Sequence, residues 1–274
     1  MLPARLRRVP AVLLAAALCA VAASTAQAQN APAAQRVFDR ARAASGGPGW
    51  NRVLGWHETG VDGDVRYERW VDPIRYGLRT ETRGPAGRLV RGYNGAGEWR
   101  ILANGQATGS IAQPVLAEVR AEAFFGAYAY FYPSRFDLRS VHLGVRQSGG
   151  RAFDVLRVQP AGGAPRELWF DRKTGLLSLM VEGAGVQRLT VELSDYRRAG
   201  PVLVPYRAVA YGTGLSRPKE RRVESLDFLP ADRSIFSLPR RDARARPAPA
   251  FDAARAAVPA ADAPPSQPER KLAY

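Results

Sequence analysis

Hydrophobic and polar positions follow two different periods along the chain. Between residues 54 and 103, and again between 140 and 228, apolar side chains alternate with polar ones, which is typical of half-buried β-strands. Residues 35–44 and 113–131 instead space their apolar side chains three or four positions apart, as an amphipathic helix does. The pattern therefore predicts an α+β protein in which two helices interrupt a series of strands.

Turn signals divide the alternating regions into about eleven short strands. Because short turns join consecutive strands, we expect them to pair antiparallel, and one large curved sheet or barrel is the natural solution. The clearest turn signals are Asp62-Gly63, Asp72-Pro73, Asn94-Gly95, Asn104-Gly105 and Gly149-Gly150.

The second helical segment is strongly aromatic. Residues 122–132, EAFFGAYAYFY, hold six of the chain's aromatic rings, which number 5 Trp, 10 Tyr and 10 Phe in all. On a helix these rings form two neighbouring stripes, a wider apolar arc than one packing face needs. Two interpretations follow. Both stripes belong to the core, or one packs on the sheet while the other lines a ligand cavity with tyrosine hydroxyls near water.

The two ends of the chain differ from its middle. Three arginines near the start, an apolar run at 9–23 and the small residues at 26–28 predict a cleavable signal peptide over residues 1–28. Residues 240–274 are rich in Ala, Pro and Arg without apolar periodicity, which predicts a disordered tail. Residues 29–239 then form one domain, and we expect it in the periplasm.

Charge and cysteine content narrow the possible functions. The formal net charge is +15, which indicates either the codon bias of a GC-rich genome or attraction to an anionic membrane surface. Export and the lack of a recognition motif argue against nucleic acid as a partner. Cys19 is the single cysteine and lies in the signal peptide. The mature protein is therefore expected to lack disulfides, a thiolate nucleophile and cysteine metal ligands.

Most catalytic signatures are absent from the sequence. His57 and His142 fall in separate predicted strands without the local partners of a zinc site. There is no G-x-S-x-G turn and no Walker loop, so the sequence predicts no cofactor and no metal site. Asp62 and Asp64 straddle a glycine, which a turn explains better than a metal ligand does. Dispersed carboxylate pairs stay open, because a sequence does not give their separation in space.

Several short motifs occur in the order found in a known group of exported proteins. They are Gly46-Gly47 followed by Gly49-Trp50, Asn94-Gly95 with Trp99, FDRKTGLL at 170–177, SDYR at 194–197 followed by Val204-Pro205, and Phe236 with Pro239. Together they make the chain, over about residues 35–239, similar to outer-membrane lipoprotein-sorting proteins of the LolA/LolB-like superfamily.

This resemblance implies a fold and a function. The implied fold is a half-open antiparallel β-barrel whose concave face is covered by two helices, and the implied function is binding of lipid or lipoprotein acyl chains. No catalytic residue is implied. For the three tryptophans among the candidates, sheet core or cross-strand ring pairing is the other interpretation. The candidate cavity-lining residues are Trp70, Trp99, Phe124, Phe125, Tyr128, Phe131 and Trp169.

The expected function is therefore a periplasmic, non-enzymatic carrier or binding protein for lipids or lipoprotein acyl chains, with peripheral membrane contact as an option. One alternative is an envelope-stress regulatory module that binds a partner protein through the same fold. The second is an exported hydrolase. Acidic side chains clustered in the cavity would favour the hydrolase, and an apolar cavity would argue against it.

Overall fold

The computed structural model describes residues 31–110, 112–183, 188–228 and 232–238. The predicted signal peptide, residues 1–28, and the predicted tail, residues 240–274, lie outside these residues.

The helices are α1 Pro32–Ala44 and α2 Gln113–Gly126, with 3-10 helices at Gly47–Arg52, Ala129–Phe131 and Arg233–Phe236. The strands are β1 Trp56–Asp62, β2 Val65–Asp72, β3 Gly77–Gly84, β4 Gly87–Tyr93, β5 Glu98–Ile101, β6 Ala107–Ser110, β7 Leu138–Ser148, β8 Arg151–Pro160, β9 Arg166–Asp171, β10 Leu177–Glu182, β11 Leu189–Ala199, β12 Val202–Gly212 and β13 Lys219–Phe228.

These strands form one antiparallel sheet that does not close. Their order is β6-β5-β4-β3-β2-β1-β13-β12-β11-β10-β9-β8-β7, so β6 and β7 are the two edges. Hairpins carry the chain from β1 to one edge, and a second series of hairpins brings it back from the other edge to β13. The first and last strands then pair in the middle of the sheet, with Trp56 opposite Phe228.

A glycine makes this central pairing possible. The register of β1 against β13 shifts between Thr59 and Gly60. At Gly60 the backbone of β13 comes so close that an added Cβ would lie 2.0 Å from the carbonyl oxygen of Arg222. A larger residue would push the two strands apart, because the nearest atoms belong to the backbone of β13.

Helix α2 connects the two edges of the sheet. It follows β6, precedes β7, and packs against β4, β5 and β8. We call the face on which α1 and α2 lie the inner face, and the opposite face the outer face. Neither helix is long and apolar enough to cross a membrane, a finding that applies to the described residues.

The helices and the inner face share a core of aromatic rings. Phe38 of α1 stacks on Tyr130 at 5.4 Å between ring centroids and meets Phe170 of β9 edge-on at 6.1 Å. Phe124 of α2 is fully buried and packs at 5.1 Å against Phe125. Since these rings come from both helices and from the sheet, they hold the two layers together.

Two details of the sequence prediction are wrong. The described residues contain thirteen strands rather than about eleven. Strand β6, with the sequence ATGS, was missed because its small side chains and glycine show no alternation. The predicted helix over 113–131 also ends early, at Gly126, because Tyr128 takes a left-handed backbone conformation (φ 52°, ψ 36°) and a 3-10 turn follows.

Candidate ligand cavity

The helices leave one part of the inner face uncovered. In the covered part, which we define as the inner face of β8 and β9, four apolar side chains have no solvent exposure. In the open part, which we define as the inner face of β11, β12 and β13, most apolar side chains are only half-buried, although Val204 and Ala208 are buried. Together they form the floor of a cavity of about 510 Å³. The covered part consists of Leu156, Val158, Leu168 and Phe170, and the floor of the cavity includes Leu189, Val191, Leu193, Val204, Ala208, Ala210, Val223 and Leu226.

Aromatic side chains form the wall opposite this floor. Phe125 at the end of α2, Tyr128 and Tyr130 line the cavity together with Trp50 and Trp56. The ring of Tyr128 lies 4.9 Å from that of Trp50 and 6.2 Å from that of Trp56. A left-handed conformation costs a non-glycine residue about 1–2 kcal/mol. The chain therefore accepts local strain where it places the Tyr128 ring in this wall.

Charged side chains complete the wall in compensated pairs. Arg69 on β2 lies 3.0 Å from Glu58 on β1, and both side chains are almost completely buried. Beside them, Arg91 of β4 reaches Glu122 of α2 at 2.8 Å. Each guanidinium is thus neutralised by a carboxylate, which a charge inside a protein requires.

Two further pairs extend this pattern around the cavity. Arg166 of β9 lies 3.1 Å from Glu182 of β10 and 5.1 Å from the ring of Phe125. Lys219 of β13 lies 2.7 Å from Asp62 of β1. The cavity is therefore apolar on its floor and polar, but nearly balanced in charge, elsewhere.

Burial changes the protonation chemistry of two cavity residues. Burial raises the pKa of Glu182, and Arg166 offsets this only in part because Glu122 and Glu118 add repulsion. Burial also raises the pKa of Tyr128, which keeps its hydroxyl protonated at neutral pH. The described residues contain no group of three or more His, Cys, Asp or Glu side chains that could hold a metal ion.

Two of the sequence-predicted residues, Phe125 and Tyr128, lie on the wall of this cavity. Phe124 and Phe131 lie beside it in the aromatic core, where both are buried. Substituting a charge at either of these two would therefore test folding rather than ligand uptake. Whether Phe125 and Tyr128 touch a ligand stays a prediction.

The three predicted tryptophans lie on the outer face. Trp70 and Trp169 are each next to residues of the inner core, and Trp99 lies opposite Gly92, which precedes the core residue Tyr93. Trp70 stacks on His57 at 4.6 Å and lies under the guanidinium of Arg79 at 4.9 Å. Trp99 donates its indole N–H to the carbonyl oxygen of Phe236 at 2.8 Å. Trp169 packs edge-on against Phe153 at 5.8 Å, so cross-strand ring pairing describes Trp70 and Trp169.

Sequence reasoning missed the floor of the cavity. The alternation of Leu189, Val191 and Leu193 predicts a strand with one buried face, but it does not say whether protein or ligand covers that face. The buried arginines, such as Arg69 and Arg166, also look like ordinary solvent-facing strand positions. Lys219 and Arg221 also line the cavity, although the basic run at 217–222 in which they lie is typical of a solvated turn.

Comparison with known proteins supports the fold. No protein-family model and no curated protein matches the chain. A DUF1329 family protein from Desulfovibrio piger matches with a TM-score of 0.50 at 10% identity, over 74% of this chain and 96% of that chain.

Two further solved structures are similar. A LolA superfamily protein from Nitrosomonas europaea has a TM-score of 0.49 at 12% identity, over 74% of this chain and 97% of its own. A domain described as a putative outer membrane lipoprotein-sorting protein, from Vibrio parahaemolyticus, has a TM-score of 0.47 at 14% identity, over 70% of this chain and 91% of its own. These two structures carry descriptions from the group that the sequence motifs resemble, and at these identities the likeness concerns the fold alone.

Proposed function

We propose that this protein is a non-enzymatic binding or carrier protein of the periplasm, and that it holds an acyl chain of a lipid or lipoprotein in the cavity over the open part. The observation that carries this proposal is the row of half-buried apolar side chains on β11, represented by Leu189, Val191 and Leu193, which no helix covers. An uncovered apolar surface with polar surroundings is a common mark of a ligand site.

The physical gain from such binding is sufficient. A volume of about 510 Å³ lies within the usual range of small-molecule sites. If about ten methylene groups were buried, the gain would be roughly 8 kcal/mol before the cost of ordering the ligand. No covalent chemistry is needed for capture. The proposed location rests on the predicted signal peptide and on the resemblance to exported sorting proteins.

The direct test is to identify what the protein carries. The full chain is produced with its own signal peptide, purified from the periplasm, and studied by native mass spectrometry followed by organic extraction. We expect an acylated molecule of defined mass that is bound one to one. A protein that stays free of lipid and instead co-purifies with an envelope protein would contradict the carrier and favour the regulatory module.

A hydrolase is the second candidate, because carboxylates do line the cavity. Among them, Glu182 has the raised pKa that a general acid needs. Against this role, the carboxylates of Glu58 and Glu122 are each engaged in an ion pair with an arginine. Release of p-nitrophenol from p-nitrophenyl laurate by the wild type, together with its loss in Glu182→Gln, would establish the hydrolase. We expect no turnover.

A further inference from the structure

Arg221 of β13 lines the cavity without a carboxylate partner. Every other basic side chain among the described lining residues lies 2.7–3.1 Å from a carboxylate oxygen, and these side chains are Arg69, Arg91, Arg166, Arg207 and Lys219. The side chain of Arg221 forms no ion pair and no hydrogen bond with any described residue, and its guanidinium lies 6.0 Å from the ring of Tyr67 instead. One positive charge of the cavity is therefore left over.

The guanidinium of Arg221 faces the cavity and is accessible there. In the sheet, Arg221 lies opposite Ala208 of β12 and Asp62 of β1, and both of these residues line the cavity. The residue is half-buried, and none of its side-chain nitrogen atoms is sealed from solvent. Burial raises the pKa of Tyr128 and of Glu182, and the charge of Arg221 offsets part of both shifts, which places it near the wall.

The carboxylates around Arg221 are already engaged or hydrated. Asp62, Glu58 and Glu182 each form an ion pair with another cation. Glu118 has no ion pair among the described residues, but it is exposed on α2, so water compensates its charge. A half-buried cation is stabilised when an anion lies beside it, and a ligand is what can supply that anion at Arg221.

Tyr67 positions the guanidinium and leaves its N–H groups available. The hydroxyl of Tyr67 donates to Glu58 Oε1 at 3.2 Å, which fixes the ring under Arg221. A guanidinium carries its N–H donors in a planar fork that matches two oxygen atoms of a carboxylate or phosphate. Arg221 can therefore hold an anionic head through two hydrogen bonds.

Arg221 also lies in line with the floor of the cavity. Ala208 of β12 is its neighbour in register, and Leu193 of β11 is in turn the neighbour of Ala208. Since adjacent strands are about 4.8 Å apart, these three residues span roughly 10 Å across the open part. A head held at Arg221 thus lets an acyl chain run across the apolar floor.

We infer that the cavity binds amphiphiles with a singly charged anionic head, whose oxygen atoms accept hydrogen bonds from the guanidinium of Arg221 while the chain lies on the floor. This inference rests on the proposed function and adds the chemistry of the head. The carboxylate of a free fatty acid and the phosphodiester of a phospholipid both supply such a head, and one negative charge matches the one cation left over.

Three probes with the same lauryl chain separate the head from the chain. Dodecanoate and lauroyl lysophosphatidylglycerol each carry one negative charge at neutral pH, and dodecanol carries none. Calorimetry gives their dissociation constants for the full mature chain, freed of co-purified lipid, and for Arg221→Gln and Arg222→Gln. The control is matched, because Arg222 is the next residue of β13, is 67% exposed in its side chain and does not line the cavity.

We expect the wild type to bind both anions more tightly than dodecanol. Arg221→Gln should weaken the binding of both anions about tenfold, the value of one hydrogen bond to a charged group, and should change dodecanol binding less than twofold. Arg222→Gln should leave all three within twofold. Arg221→Lys keeps the charge and should lose less anion affinity than Arg221→Gln. The more tightly bound anion identifies the source of the head.

Other outcomes separate the inference from the proposed function. If the wild type binds dodecanol as tightly as the anions, or if Arg221→Gln weakens all three probes equally, the inference is wrong while acyl-chain binding stands. An equal loss of anion affinity in Arg222→Gln would also overturn it, because general charge attraction would then explain the preference. If no probe binds, the proposed function fails and the inference fails with it. Circular dichroism confirms that each variant is folded, and the comparison of heads on the wild type needs no variant.

Discussion

The covered and open parts of the inner face are built from the same strand pattern but have different surroundings. In the covered part, Leu168 and Phe170 are fully buried beneath rings from both helices. In the open part, Leu193 points from the same face of the same sheet and is only half-buried. The difference shows that one alternating strand pattern provides core where a helix lies on it and a cavity where none does.

The position of helix α2 decides where this boundary falls. The helix must connect the two edge strands β6 and β7, so it crosses the inner face from one side to the other. It ends at Gly126, and the left-handed Tyr128 then turns the chain. The floor formed by β11, β12 and β13 stays free, and the protein thereby keeps an apolar surface that its own side chains do not fill.

The largest expected effect on stability comes from removing a buried charge on the cavity wall, and the comparison is the removal of an exposed charge on the outer face. Arg69→Met removes the partner of Glu58, whose side chain is 5% exposed. We expect a loss of about 3–5 kcal/mol in the free energy of unfolding, because a buried carboxylate is left uncompensated. Denaturant unfolding measures this loss.

The matched control for this change lies on the same strand. Arg66 pairs with Glu224 at 3.2 Å, but its side chain is 75% exposed. Arg66→Met should cost less than about 1 kcal/mol. Equal small losses in the two variants would mean that water screens Glu58, and the cavity would then be a wet cleft rather than a low-dielectric site.

A pair of leucine truncations compares the two parts directly. Leu168→Ala creates a void in the covered part and should cost about 2–5 kcal/mol. Leu193→Ala removes atoms that already face the cavity, so we expect a loss below about 1.5 kcal/mol and a weaker affinity for acyl ligands. Similar losses of stability, measured by denaturant unfolding, would show that the open part is packed as tightly as the core.

The pH dependence of stability should have opposite signs at a carboxylate of the covered part, Asp154, and at one of the cavity wall, Glu182. Burial alone would raise the pKa of Asp154, but its hydrogen bonds with Arg40 and His142 and the charge of Arg172 lower it overall. Its stabilising contribution is therefore present above its ordinary value of about 3.9 and is lost as the pH falls through the native value. For Glu182 the pKa is raised, so ionisation destabilises the fold as the pH rises above about 4.3.

Two variants test these signs. The stability of the wild type relative to Asp154→Asn should increase with pH across the acid range, and its stability relative to Glu182→Gln should decrease. In Glu182→Gln the guanidinium of Arg166 loses its carboxylate partner. A pH-independent change in the free energy of unfolding from this loss does not alter the slope of the second comparison. Urea unfolding at a series of pH values measures both, and slopes of equal sign would contradict the assigned environments.

The motifs in the sequence predicted the fold because they form turns and close contacts. Asp171 accepts hydrogen bonds from the backbone N–H groups of Lys173 and Thr174, which shapes the hairpin between β9 and β10. Asn94 does the same for Ala96 and Gly97. Such local geometry is readable from a few neighbouring residues.

The cavity was less predictable because it depends on distant parts of the chain. Phe125 and Tyr128 stood out by their aromatic neighbours, whereas Arg166 has no local signal for its contact with Glu182. Trp70 and Trp99 were placed with the cavity because strand alternation does not state which face is the inner one. Which face of the sheet is the inner one becomes clear only once the path of α2 is known.

The most direct test of the account uses two valines on adjacent strands. Val191 of β11 lines the cavity, and Val209 of β12 lies on the outer face opposite Glu192. Both are half-buried, so Val191→Asp and Val209→Asp place the same carboxylate on the two faces of one sheet.

Binding of a fluorescent fatty acid is measured for each folded variant. We expect Val191→Asp to lose at least tenfold in affinity and Val209→Asp to keep that of the wild type. Equal affinities for all three proteins would contradict a ligand cavity on the open part.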